Sequence, residues 1–214
     1  MPYWLSNIWI KWFWRICKII KKLAKEINKL GIELKFLDVG GGLGISYTDS
    51  SFPSPSNLIK DLENILGDRT EKIILEPGRS ISGDAGILLT SVEYVKDNYL
   101  IIDAGMNDLI RPALYDAKHQ IINVENNKVP TKEWTIVGPI CESSDVMAKN
   151  YSLGASGGSI LAIKTVGAYG HVMSSNYNSR RKPPEILVDD NNFEIIRKRE
   201  TYEDLIRHEV NLGS

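Results

Sequence analysis

Leu34-Lys35-Phe36-Leu37-Asp38-Val39-Gly40-Gly41-Gly42-Leu43-Gly44 decides how the front of this chain is read. Leu34 to Val39 is an apolar run of strand length that empties into a glycine loop at its carboxyl end. Before it, Ile16, Ile19, Ile20, Leu23, Ile27 and Leu30 recur at three- and four-residue steps. That spacing predicts an amphipathic helix closed by Gly31 at a C-cap position. After it, a Ser/Pro loop leads to a second helix over Asn57 to Leu66. A second strand over Lys72 to Leu75 then runs into Glu76-Pro77-Gly78-Arg79. Strand, helix, strand with continuous apolar runs predicts parallel βα units, and in such units ligand sites gather at the carboxyl ends of the strands.

Beyond Ser80 the rhythm changes to strands without long helices: Gly86 to Val95, Tyr99 to Asp103, Gln120 to Glu125, Trp134 to Val137 and Ser159 to Val166. Glu185 to Val188 and Phe193 to Arg199 flank a hairpin turn. Asn107 to Tyr115 reads as a short helix or turn, and Thr201 to His208 as a terminal helix capped by Thr201 with Asp204 three residues on. The expected organisation is α/β plus β. Residues 1–15 form an atypical Trp-rich start, 16–85 a partial βα unit and 86–214 a β domain. A closed (β/α)8 barrel takes about 250 residues. Residues 16–85 therefore pack either as something smaller or as the last βα units of a barrel whose beginning lies elsewhere.

The chain has 214 residues, 43% hydrophobic and 25% charged, which is ordinary globular composition with material for a core or two. With 26 basic against 27 acidic residues there is no electrostatic footprint for nucleic acid, and a small polar ligand fits better. Cys17 and Cys141 lie far apart in unlike contexts, which argues against a disulfide framework and for a reducing cytoplasm. His119, His171 and His208 show no metal-ligand spacing, so no metal is expected.

Four of the five tryptophans, Trp4, Trp9, Trp12 and Trp14, fall before Ile16 and are followed by Lys18, Lys21, Lys22 and Lys25. An interfacial membrane anchor is one reading. The preferred one is a segment never selected for its position, such as the out-of-frame start of a broken gene, so a membrane partner is not expected. Lys11 and Arg15 interrupt the apolar run and no cleavage site follows, which disfavours a signal peptide.

The glycine run is not a dinucleotide fingerprint, because Ile45 stands where G-x-G-x-x-G from Gly40 needs its last glycine, and no Walker lysine follows. A bare backbone there can approach an anion such as phosphate, or it can simply make a tight turn. Glu76-Pro77-Gly78-Arg79 aims a carboxylate and a guanidinium from one turn. An acid so placed could hold the protonated pyridine nitrogen of pyridoxal phosphate, and the arginine a carboxylate or phosphate; a structural ion pair is the bland rival.

Six motifs occur in order: Leu37 to Gly44, Glu76 to Ser80, Asp103-Ala104-Gly105-Met106, Arg111-Pro112-Ala113-Leu114-Tyr115, Gly138-Pro139-Ile140-Cys141-Glu142-Ser143-Ser144-Asp145 and Gly167-Ala168-Tyr169-Gly170. Together they resemble diaminopimelate decarboxylase, an alanine-racemase-like family with a pyridoxal-phosphate barrel and a β-sandwich domain. The likeness runs from about Leu23 to Glu209 and covers the carboxyl-terminal half of the family's plan. It implies decarboxylation of meso-2,6-diaminopimelate to L-lysine by a homodimer with shared active sites. Gly41 and Gly42 would bind the cofactor phosphate, with Pro77 and Gly78 beside them and Tyr169 adding its hydroxyl. Glu76 would face the pyridine nitrogen. Arg79, Arg111 and Tyr115 would hold substrate carboxylate, with Tyr169 adjoining. Glu142 would recognise the ammonium at the substrate's far, D-configured centre. Cys141 would enter from the partner subunit to return a proton after carbon dioxide leaves. Arg111 and Tyr115 are four apart, so a helical turn puts them on one face.

The same resemblance implies a cofactor-anchoring lysine and a ring-stacking histidine upstream of Leu34, and no segment here matches either. The expectation is therefore a chain that is inactive and poorly soluble by itself, its chemistry needing a missing amino-terminal half. Two other readings compete: a non-catalytic subunit that lends Cys141 and Glu142 to an intact decarboxylase, and a sister enzyme acting on ornithine, arginine or carboxynorspermidine.

Overall fold

The computed structural model describes residues 3–47, 54–125 and 129–210, and side chains from residue 11 onward within these. The expected elements of the front part are present. Strand β1 (Phe36–Gly41) pairs in parallel with β2 (Lys72–Glu76), with Leu37 opposite Ile73 and Gly41 opposite Glu76. Between them lies α2 (Pro55–Leu66), started by Ser54, whose side chain accepts the Asn57 N–H, and by Pro55 in its first turn.

The first helix differs from expectation. Helix α1 spans Tyr3–Lys29 without a break at Ile16, so part of the Trp-rich start continues the same element. Among its described side chains Phe13, Cys17 and Ala24 are buried, with Trp14 and Ile20 partly covered. These pack on Leu37 and Val39 of β1 and on Leu58, Leu62 and Leu66 of α2. The expected inward residues Ile16, Ile19 and Leu23 face solvent instead. The reason is geometric: the apolar arc of α1 is wider than the one face that a two-stranded sheet and a single helix can cover.

Past the short α3 (Arg79–Ser82) and a single 3-10 turn, a six-stranded mixed sheet begins. Its strands are β3 (Leu88–Lys96), β4 (Tyr99–Ile102), β5 (Ile121–Asn123), β6 (Thr131–Val137), β7 (Val146–Gly154) and β8 (Ile160–Ile163), in spatial order β5-β8-β3-β4-β6-β7. All pairs are antiparallel except β4 with β6. The outer strands turn toward each other. The Tyr151 hydroxyl on β7 accepts the Ile121 N–H (2.7 Å) and donates to the Ile121 carbonyl (2.9 Å), and the Asn123 amide donates to the Gly154 carbonyl. This nearly closed sheet wraps Val92, Leu100, Ile102, Leu109, Ile136, Leu161 and Ile163, none more than 1% exposed.

Strand β7 is absent from the sequence expectation, because Lys149-Asn150 interrupts its apolar alternation. Asn150 takes a left-handed φ of 50°, beside a register shift against β6. Helix α4 (Arg111–Tyr115) follows β4. The hairpin β9 (Glu185–Asp189) and β10 (Asn192–Arg197) and the capped helix α5 (Tyr202–Ile206) follow as expected.

Candidate active site

Two groups of side chains stand out. The first gathers where β1, β2 and the loops of the large sheet meet. At the end of β1, Gly40 and Gly42 adopt φ of +73° and +100°, and a side chain on Gly41 would collide with the Glu76 carbonyl, so only glycine allows this approach. Glu76 closes β2 beside it, and Pro77-Gly78 turns the chain into α3, where Arg79 begins. The segment after β8 is tied back to this corner. Val166 N–H donates to the Gly86 carbonyl (2.9 Å), Gly167 N–H to that of Gly83 (3.0 Å) and the Thr165 hydroxyl to Asp84 (3.1 Å). That brings Tyr169 over Gly78, where an added methyl group would lie 3.7 Å from the phenol oxygen.

Arg111 is the centre of this group. It sits in α4, nine-tenths buried, with its guanidinium carbon 5.2 Å from the ring centres of both Tyr115 and Tyr169 and 5.8 Å from that of Tyr47. Three aromatic faces hold a cation well. Among the described residues its Nε has no hydrogen-bond partner, nor has the buried hydroxyl of Tyr47. Tyr47 meets His119 edge to face, with ring centres 4.9 Å apart. His119 shares its Nδ1 with the Lys164 carbonyl (2.9 Å) and leaves Nε2 unpartnered. Burial, and secondarily the charge of Arg111, pushes the His119 pKa down and keeps the ring neutral.

The second group is the turn Gly138 to Asp145. Asp145 is buried and holds the turn shut, its carboxylate accepting from Ile140 N–H (2.7 Å) and Met106 N–H (2.6 Å). Burial raises its pKa, against the pull of those donors. Cys141 and Glu142 project from this brace into solvent, and Glu142 accepts the Tyr177 hydroxyl at 3.2 Å. Among the described residues no hydrogen bond, ion pair or ring contact joins this pair to the Arg111 group.

Comparison with known proteins now decides the family. The model of the pyridoxal-dependent decarboxylase C-terminal sheet domain matches residues 14–167. The chain belongs to the pyridoxal-dependent decarboxylases. Within them it is 46% identical over 200 residues to the diaminopimelate decarboxylase of Neisseria meningitidis serogroup B, covering 92% of this chain and 47% of that one. It is 43% identical over 199 residues to that of Aquifex aeolicus, covering 90% and 47%. It superposes on the Helicobacter pylori diaminopimelate decarboxylase complexed with L-lysine with a TM-score of 0.86 at 42% identity, covering 91% of this chain and 50% of that one. The M. jannaschii enzyme in co-complex with L-lysine gives 0.89 at 38%, covering 94% and 49%. The chain thus spans about half the length of these relatives.

Against this pyridoxal-dependent decarboxylase background, Gly41, Gly42, Glu76, Gly78, Arg111, Tyr115 and Tyr169 fall in or beside one cluster, and Cys141 and Glu142 form another. Tyr47, His119 and Tyr177 were missed by the sequence reading. A lone tyrosine, an isolated histidine and a tyrosine in a polar loop carry no spacing signal; only the fold sets them beside Arg111 and Glu142.

Proposed function

We propose that this chain carries the carboxyl-terminal half of a diaminopimelate decarboxylase, which converts meso-2,6-diaminopimelate to L-lysine and carbon dioxide. In this reading β1, β2 and their helices are the last βα units of a pyridoxal-phosphate-binding barrel, and the large sheet is the β domain beside it. The observation that carries the proposal is Arg111. A nine-tenths buried guanidinium stacked among three tyrosines, with Nε and the neighbouring Tyr47 hydroxyl both lacking partners, is a site that calls for an anion. A substrate carboxylate meets that demand.

The bare backbone at Gly41 and Gly42, with Gly78 under the Tyr169 hydroxyl, suits a phosphate, and Glu76 suits a protonated ring nitrogen. Those residues would hold pyridoxal phosphate, which when bound supplies the sink for the electron pair left by departing carbon dioxide. Glu76 keeps the ring charged. Arg79, Arg111 and Tyr115 orient the substrate carboxylate. Cys141 returns a proton at the carbon that loses carbon dioxide. Because the product is L-lysine, the carboxylate lost is that of the D centre, so the far ammonium on Glu142 belongs to the retained L centre and not to the D-configured centre first expected there.

Cys141 and Glu142 are exposed and share no contact with the Arg111 group, which supports a homodimer in which each chain lends this pair to its partner's site. Both cysteines are free, in keeping with a cytoplasmic setting. The test is to combine this chain with the amino-terminal half of the Neisseria meningitidis relative, pyridoxal phosphate and diaminopimelate. Lysine should form, and Arg111→Ala should abolish it. An assembled pair that binds the cofactor yet makes no lysine would contradict the proposal.

A further inference from the structure

We infer that Tyr177 is a positioning residue that aims the Glu142 carboxylate and thereby sets the preference for a substrate with a second ammonium at its far end. The inference rests on the proposed function of Glu142 and adds to it a residue with no role so far.

Tyr177 and Glu142 stand on different loops, 35 positions apart, and both loops are pinned to the same place. The Glu142 loop hangs on Asp145, whose carboxylate takes the N–H groups of Ile140 and Met106. The Tyr177 loop hangs on Arg180, which donates to the Asp103 carbonyl at 2.6 Å and faces the charges of Asp108 and Asp145. Two more ties flank it: Ser175 N–H to the Asn107 carbonyl (2.8 Å), and the Asn176 amide to both the Arg180 carbonyl (2.9 Å) and Glu200 (2.6 Å). Between these anchors Asn178 and Ser179 are both held at left-handed φ, 56° and 54°. Two consecutive non-glycine residues in that region cost energy that the anchors must supply. What the strained turn achieves is the placement of the Tyr177 hydroxyl 3.2 Å from Glu142 Oε2.

The bond has a direction with a chemical consequence. Tyr177 donates to one carboxylate oxygen and leaves the other with free acceptor capacity. An exposed glutamate without that bond samples several rotamers, and ordering it on substrate binding costs entropy. With the bond the carboxylate is preset for a primary ammonium. Glu142 and the nearby Cys141 in turn push the Tyr177 pKa up, so the phenol stays a donor through the neutral range. A substrate with no far ammonium gains nothing from this arrangement, so the loop separates amino acids with a far ammonium from those without one.

The test has two arms. In the full chain labelled with 13C at the tyrosine ring carbon bearing oxygen, the resonance absent from Tyr177→Phe should titrate above the ordinary tyrosine range and fall back toward it in Glu142→Gln. An unchanged midpoint in Glu142→Gln would break the link between the two residues. In the assembled enzyme, Tyr177→Phe should raise KM for diaminopimelate roughly tenfold, as loss of a charge-assisted hydrogen bond implies, with kcat within about twofold. The double variant Tyr177→Phe/Glu142→Gln should be no worse than Glu142→Gln alone. Additive losses, or a fall in kcat at unchanged KM, would make Tyr177 merely structural. If the unmodified assembly makes no lysine, the proposed function itself fails and this role with it, whereas an active assembly indifferent to Tyr177→Phe overturns this inference alone.

Discussion

Arg111 carries the proposed function because its surroundings offer contact without neutralisation: three aromatic faces and a neutral histidine edge behind one of them. Lysine would keep the charge but lose the planar fork and the stacking. Arg111→Lys in the assembled enzyme should therefore lower kcat/KM by roughly 10-fold to 100-fold, about 1.5–3 kcal/mol, and steady-state lysine formation reads it directly. His119 gives a pH signature of its own. Its folded pKa is held below the ordinary value of about 6.5, so below that pH the unfolded chain binds a proton that the folded chain refuses. Stability should thus be full above about pH 6.5 and fall with acidification until the depressed folded pKa is passed. His119→Gln should flatten that loss, as urea midpoints at about pH 7.5 and about pH 5 would show.

At the scale of elements, short capped pieces were the most legible. Thr201 and Asp204 form a reciprocal capping box, with Asp204 Oδ2 accepting the Thr201 N–H at 2.7 Å, and the helix predicted from that pair is there. Thr201→Ala should cost about 1 kcal/mol, localised to residues 202–206 and readable as faster amide exchange there. Leu62 packs α2 on β1 and α1, 4% exposed, and Leu62→Ala should destabilise the front unit by about 2–5 kcal/mol. Strand β7 was missed because a strand built around a left-handed Asn150 does not alternate cleanly. The inward face of α1 was misread for a related reason: periodicity tells that a helix has an apolar arc, but only its partners decide which part of the arc is covered. Burial of Phe13, Cys17 and Ala24 beside exposure of Ile16, Ile19 and Leu23 is a fact of the neighbours, not of the helix. Gly40 to Gly42 and Glu76 to Arg79 were legible as strand ends because local residue types fix such turns, and Arg111 to Tyr115 as a short helix or turn, which is α4. Tyr47, His119 and Tyr177 reach the site only through long-range folding.

For the molecule as a whole, the large sheet nearly closes on its own core, whereas the front unit leaves an apolar stripe bare. Trp12, Ile16, Ile19 and Leu23 are each about half exposed, on one side of α1, and Phe36, Ile73 and Ile74 are open on the two strands. No helix among the described residues is long and apolar enough to cross a membrane. Such a surface is an association surface or an aggregation hazard. Ile16→Glu with Leu23→Gln should make the isolated chain more soluble while shifting its stability by no more than about 1 kcal/mol, and should weaken its pairing with an amino-terminal barrel half. Sedimentation and pull-down would measure the two effects. The separation of Arg111 from Cys141 and Glu142 has its own consequence at this scale, since in the proposed homodimer the site would be divided between protomers and could be rebuilt from two broken ones. The most direct measurement is therefore to mix assembled Arg111→Ala and Cys141→Ala enzymes, each inactive by itself, and follow lysine formation. Random pairing into symmetric dimers should restore about a quarter of the unmodified activity, through the one intact site of each mixed dimer. A mixture as dead as its components would contradict the account.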